Sequence, residues 1–176
     1  PAAILASNTS TFPITDIAKN LKEPAHCIGL HFFNPAHIMK LVEIISGKQT
    51  APHLVEAMRK FCEQIGKVAV LAKDSPGFIV NRVARPFYVE SLKILEEEGA
   101  KMENIDALLR ASGFKMGPFE LMDLIGVDTN LAVTTSLYEA FDQAPRFRPS
   151  IIQQNKVTEG HWGRKTGKGF YDYQKK

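Results

Sequence analysis

The hydrophobic period of this chain changes once, at Lys73-Asp74-Ser75-Pro76-Gly77. Ahead of that cluster, short apolar runs of strand length at 28–33, 41–45 and 68–71 are interleaved with helical spacing. Behind it every periodic stretch is helical. Pro and Gly combined with Asp and Ser interrupt strand and helix alike, so the cluster reads as a hinge. The expectation is a mixed α/β segment over 1–73 followed by an all-α helical bundle over 74–176.

In the first part, Ala3-Ile4-Leu5-Ala6 reads as a strand that ends in the polar turn Ser7-Asn8-Thr9-Ser10-Thr11. Ile14, Ile17, Ala18 and Leu21 mark a short helix over 13–21, and the two apolar runs after it complete a β-α-β-β outline. Leu54, Met58, Phe61, Cys62 and Ile65 form one stripe of a helix over 51–66, with Gly66 as its stop. The second part carries helical patterns over 79–98, 103–112, 118–125, 129–142 and 150–159, with Pro86 expected to kink the first or mark its edge.

Hydrophobic residues at 44%, charged residues at 23% and a net charge of +3 describe a soluble globular chain. The charges alternate in sign without a basic stripe, which argues against a nucleic-acid partner and leaves room for a small anionic ligand. Cys27 and Cys62 sit among apolar residues without metal-ligand spacing, which points to reduced thiols, no metal and a cytoplasmic setting. No apolar run reaches the ~18 residues of a membrane span. The chain lacks an initiator Met and opens on a strand-like run with no partner strand before it, so it reads as a fragment.

His31 and Glu43 fall in the two runs expected to be neighbouring strands. A carboxylate bonded to one ring nitrogen fixes the tautomer and leaves the other nitrogen to accept a proton, the arrangement of a base for an alcohol. The plainer reading of such a pair is a core histidine and an edge glutamate; the hydroxyl-rich turn at Ser7–Thr11 weighs against it, because ligands in open α/β sheets bind at the carboxyl ends of strands. Ser10, His31 and Glu43 could also form a hydrolase triad, but Ser10 is not in a GxSxG elbow.

Six stretches in order resemble the NAD-dependent 3-hydroxyacyl-CoA dehydrogenases: Ser7-Asn8-Thr9-Ser10-Thr11, Gly29-Leu30-His31-Phe32-Phe33-Asn34-Pro35, Met39-Lys40-Leu41-Val42-Glu43, Ser75-Pro76-Gly77-Phe78-Ile79-Val80-Asn81-Arg82, Met116-Gly117-Pro118-Phe119-Glu120-Leu121 and Lys165-Thr166-Gly167-Lys168-Gly169-Phe170-Tyr171. The run Asn81-Arg82-Val83-Ala84-Arg85-Pro86-Phe87-Tyr88 is similar to the branch that acts on 3-hydroxyadipyl-CoA in phenylacetate degradation. The resemblance implies that 1–73 is the last part of a Rossmann-type NAD-binding domain and 74–176 the substrate and dimerisation domain. It implies His31 as base, Glu43 as its orienting partner, and Ser10 and Asn81 near the substrate oxygen. It places Asn34 and Lys165, with Ser10, against NAD. It further implies an acyl-CoA substrate, a homodimer through the helical domain, and a role in fatty acid β-oxidation or aromatic degradation. The family's GxGxxG turn is nowhere in this chain, so the fragment is expected to be inactive alone. The alternative is a helical dimerisation or acyl-CoA-binding module without chemistry.

Overall fold

The structure, a computed structural model, describes residues 3–174 and divides into two compact units, Pro1–Arg82 and Val83–Lys176. In the first, strands β1 (Leu5–Ser7), β2 (Cys27–Phe32), β3 (Leu41–Ser46) and β4 (Val68–Lys73) form one mixed sheet in the order β1-β2-β3-β4. The β1/β2 and β3/β4 pairs are parallel and β2/β3 is antiparallel. Helix α1 (Ile14–Ala18) covers one face and α2 (Pro52–Gln64) the other. Pro1 and Ala2, just ahead of the expected first strand, lie outside the described residues.

Coverage on both faces explains why β2 and β3 read as unbroken apolar runs rather than alternating ones. Ile28, Leu30, Val42 and Ile44 pack under Leu54 and Cys62 of α2, while Cys27 and Ile45 pack with Ile14 and Ala18 of α1. The period-2 alternation of a strand therefore puts His31 and Glu43 on the α1 face. Gly29 lies on that face too, where a Cβ would come within 2.8 Å of Ile45 Cβ and 2.9 Å of Ile14 Cδ1, so its missing side chain is what admits α1.

The helix expected over 13–21 is shorter, because Leu21 N–H closes a turn on the Ala18 carbonyl. Its start is held from a distance: the Asp74 carboxylate accepts from the backbone N–H of Ile14 and of Thr15, each at 2.8 Å. Asp74 belongs to the expected hinge, where the chain reverses through Gly77 (φ 72°) and Phe78 (φ 49°). Phe78 is fully packed against Ile14, Cys27 and Ile45, burial that offsets the cost of a left-handed aromatic residue.

The second unit is built from α3 (Val80–Glu96, whose first residues belong to the first unit), α4 (Met102–Ala111), α5 (Pro118–Ile125), α6 (Val127–Ala140) and α7 (Ile151–Thr158). Pro86 lies inside α3, which continues past it. The core joins Tyr88, Leu92, Ile105, Phe119, Met122, Val127 and Phe170. Two buried aspartates explain the motif stretches of this unit. Asp106 accepts from the Phe119 and Glu120 backbone N–H groups at the start of α5 and from the Tyr171 hydroxyl; Asp123 accepts from Phe170 N–H, Tyr171 N–H and the Tyr173 hydroxyl.

Candidate active site

His31 and Glu43 are directly opposite in the antiparallel β2/β3 register. The two residues are 4% and 1% exposed, and His31 Nδ1 lies 2.7 Å from Glu43 Oε2. Glu43 as an acceptor requires the proton on Nδ1, so Nε2 carries the free lone pair. At Nε2 the partner is Ser10 Oγ, 3.0 Å away at the carboxyl end of β1. Phe33 and Phe78 close over the imidazole with ring centroids at 4.5 and 5.8 Å.

The second carboxylate oxygen of Glu43 is also used. Oε1 accepts from the backbone N–H of Ile79 at 2.9 Å and of Val80 at 3.0 Å, where α3 begins. Burial pushes the Glu43 carboxyl up, but the hydrogen bond from His31, the Val80 and Ile79 N–H donors and the charge of His31 outweigh it and hold it below the usual range. Asn81 follows on the same turn, and its Nδ2 donates to the Ser10 carbonyl at 3.4 Å. The contacts form a closed ring: Ser10 to His31, His31 to Glu43, Glu43 to the first turn of α3, and Asn81 of that turn back to Ser10.

Sequence reasoning overlooked three contributors. Asn8 Oδ1 accepts from Phe32 N–H at 2.8 Å, pinning the polar turn to the strand end beside His31. The Ile79 and Val80 amides carry no side-chain signal at all. Phe78 stood within a quoted motif, yet only its left-handed backbone aims the next two N–H groups at Glu43. Of the remaining expected residues, Asn34 is exposed just past β2, ahead of a cis bond to Pro35. Lys165 is in the helical unit, 2.6 Å from Asp128 Oδ1 and 5.3 Å from the Trp162 ring centroid. Cys27 and Cys62 are free and buried, and burial pushes both thiols up, away from reactivity.

A sheet ending in a buried imidazole–carboxylate pair, with hydroxyl and amide groups at the strand ends, has the chemistry to move a proton and lies where open α/β sheets bind ligands. Residues 1–75 match the family model for the 3-hydroxyacyl-CoA dehydrogenase NAD binding domain, and residues 77–173 match that for the 3-hydroxyacyl-CoA dehydrogenase C-terminal domain. The chain belongs to the 3-hydroxyacyl-CoA dehydrogenase family, and its first unit is Rossmann-type. It is 51% identical to the 3-hydroxyadipyl-CoA dehydrogenase of Escherichia coli over 99% of this chain and 37% of that protein. With the mitochondrial hydroxyacyl-coenzyme A dehydrogenase of Rattus norvegicus it shares 42% over 97% of this chain and 55% of the relative. The solved 3-hydroxybutyryl-CoA dehydrogenase of Escherichia coli superposes with a TM-score of 0.95 at 50% identity, covering 100% of this chain and 38% of that one. The chain spans between 37% and 61% of the length of eight curated relatives that it matches.

Proposed function

We propose that this chain is part of an oxidoreductase that interconverts (S)-3-hydroxyacyl-CoA and 3-oxoacyl-CoA with NAD. The observation that carries the reading is the buried His31, held at Nδ1 by Glu43 at 2.7 Å with Nε2 turned to Ser10 Oγ at 3.0 Å. Nε2 takes the proton of the 3-hydroxyl group. Glu43 stabilises the imidazolium so formed and keeps the ring from turning. The Ser10 hydroxyl and the Asn81 amide supply donors for the charge that develops on the substrate oxygen.

NAD, when bound, supplies the acceptor for the hydride that leaves C3. The neutral hydroxyl of Ser10 and the exposed amide of Asn34 fit its carboxamide end. Lys165, already neutralised by Asp128, fits as a hydrogen-bond donor rather than a free cation. No glycine turn in this sequence would cradle the pyrophosphate, and the chain alone is therefore inactive.

The 51% identity to an enzyme named for 3-hydroxyadipyl-CoA favours a substrate with a carboxylate at its far end, in aromatic degradation or fatty acid β-oxidation. We place the functional domain boundary at 73/74, ahead of the Arg82/Val83 division of the compact units; one family model ends at 75 and the other begins at 77. Exposed Leu108, Phe114 and Ile151 support a homodimer through the helical unit. No helix among the described residues is long and apolar enough to cross a membrane, and a cytoplasmic setting is consistent with that.

The Ser10–His31–Glu43 contacts also have the connectivity of a hydrolase triad. The test is NADH consumption on 3-oxoacyl-CoA by this chain and by a form extended through the glycine-turn half, each with His31→Gln. Turnover by the extended form alone, lost with His31→Gln, supports the proposal. Absence of NADH consumption in both forms leaves a dimerisation or acyl-CoA-binding module, and CoA release without NADH leaves the hydrolase.

A further inference from the structure

The loop of residues 34–40 joins β2 to β3 and leaves β2 at Phe33, whose ring stands over His31. Asn34 is its first residue. Every position from Asn34 to Lys40 is exposed, Ile38 at 64% and Met39 at 42%, so burial contributes little to holding the loop in one conformation. Inside it the Pro35 carbonyl accepts from the N–H groups of Ile38 and Met39, each at 2.9 Å, which closes a single turn. A turn that short leaves the carbonyls at its far end without partners of its own.

Lys67 supplies a partner. Its Nζ donates to the Ala36 carbonyl and, at 2.8 Å, to the Met39 carbonyl. The end of α2 places it there: Gly66 takes the left-handed conformation at φ 72°, and the Gly66 and Lys67 N–H groups close onto the Glu63 and Cys62 carbonyls. The next N–H, of Val68, donates to the Lys40 carbonyl at 2.8 Å, so Lys67 enters the sheet beside the end of the loop. Where Lys19, Lys93 and Lys165 reach carboxylates, Lys67 is turned to two main-chain oxygens. A charged donor binds a carbonyl more strongly than a neutral one does, and a compact ammonium with three donors serves two carbonyls from one point.

We infer that Lys67 is a positioning residue for the cofactor side of this site: through the Ala36 and Met39 carbonyls it fixes the loop that carries Asn34, and so sets where the Asn34 amide meets the nicotinamide end of NAD. A loop already ordered before the cofactor arrives leaves less conformational freedom to be lost on binding, which strengthens binding without adding a contact. The inference rests on the 3-hydroxyacyl-CoA dehydrogenase reading and adds a residue that acts on the cofactor through another.

The experiment uses the extended enzyme and its Lys67→Met, Lys67→Arg and Asn34→Ala variants, together with the Lys67→Met/Asn34→Ala double variant. It measures NADH binding by fluorescence titration, hydrogen exchange of the 36–40 amides, and steady-state kinetics. In Lys67→Met the Kd for NADH and the KM for NAD are expected to rise about 5- to 30-fold, with faster exchange over 36–40. The kcat at saturating NAD should stay within about threefold, because the β2/β3 register and not the loop sets His31 against Glu43. Lys67→Arg keeps a charged donor for both carbonyls and should restore most of the affinity. The losses of Lys67→Met and Asn34→Ala should not add in the double variant, since the first acts through the second. Additive losses overturn the inference. Weaker NADH binding with unchanged exchange overturns it too, because Lys67 then touches the cofactor itself, as does faster exchange with unchanged NADH binding, which leaves Lys67 a structural clamp. Should Lys67→Met not fold, Lys67→Gln, which retains one donor end, gives the same readouts. Oxidation of a 3-hydroxyacyl-CoA by the native extended enzyme keeps the dehydrogenase reading standing whatever the variants do; if that enzyme neither binds NADH nor turns over, both readings fall.

Discussion

Replacing Glu43 by Gln separates the two tasks that its carboxylate performs, because an amide has one acceptor end and one donor end. In the native ring Oε2 faces the Nδ1–H of His31 and Oε1 faces the N–H groups of Ile79 and Val80, so both ends must accept. With its oxygen toward His31, Gln would aim its NH2 at two buried backbone donors, leaving them unpaired at about 1–3 kcal/mol each. With its oxygen toward α3, it satisfies both amides and presents NH2 to Nδ1, which the imidazole accommodates by moving its proton to Nε2. The second orientation is the cheaper. Its consequence is a wrong tautomer: Nε2 becomes a donor and can no longer take the hydroxyl proton. Three charge-assisted hydrogen bonds also become neutral, which corresponds to a stability loss of about 1–3 kcal/mol. Turnover in the extended enzyme should fall on the order of 10²- to 10⁴-fold. Denaturant unfolding and steady-state oxidation of a 3-hydroxyacyl-CoA measure the two effects. A variant that keeps more than about half of native turnover would refute the tautomer argument. One that unfolds at the native midpoint would refute the claim that Glu43 braces the start of α3.

Three further outcomes follow from the same geometry. Because Glu43 is held below its ordinary value in the folded chain, its contribution to stability is fully present above the ordinary glutamate range and is lost as pH falls through the lowered value. The stability gap between native chain and Glu43→Gln should accordingly narrow as pH falls below the ordinary glutamate range; a constant gap would contradict it. Ser10→Ala removes a hydrogen-bond donor from Nε2 but not the base, so a dehydrogenase keeps a measurable fraction of its rate, whereas complete loss would point to nucleophilic chemistry at Ser10. Gly169→Ala would set a Cβ against Asp123 Oδ1 and 2.6 Å from Gly163 Cα, displacing the carboxylate that holds Phe170, Tyr171 and Tyr173. Its expected cost is about 3 kcal/mol in denaturant unfolding, and a loss under about 1 kcal/mol would mean that this close approach relaxes freely.

The strands and helices were legible because their hydrophobic periods are local properties of the chain. The runs around His31 and Glu43 are apolar and of strand length, and the stripe Leu54-Met58-Cys62 has the spacing of a helix with one side in the core; in the structure the runs are strands and the stripe lies on a helix. Local pattern also marked His31, Glu43 and the turn that holds Ser10, whereas Asn81 was indicated by the family resemblance alone. Element ends themselves were less legible where a distant group sets them: Asp74, far along the chain, fixes the start of α1. The left-handed turn at Gly77 and Phe78 aims two backbone amides that have no letter of their own in the sequence.

What the sequence determined by itself is therefore the order and kind of the elements and the cast of residues able to do acid–base chemistry, since both follow from side-chain type and spacing. Tertiary structure alone decided the register that sets His31 opposite Glu43, the sharing of one carboxylate between an imidazole and a helix start, and the burial of Arg85 against the neutral oxygens of Asn130 and Thr134. Each of these depends on groups that are distant along the chain and adjacent in space, and their energies exist only once water has been excluded from between them.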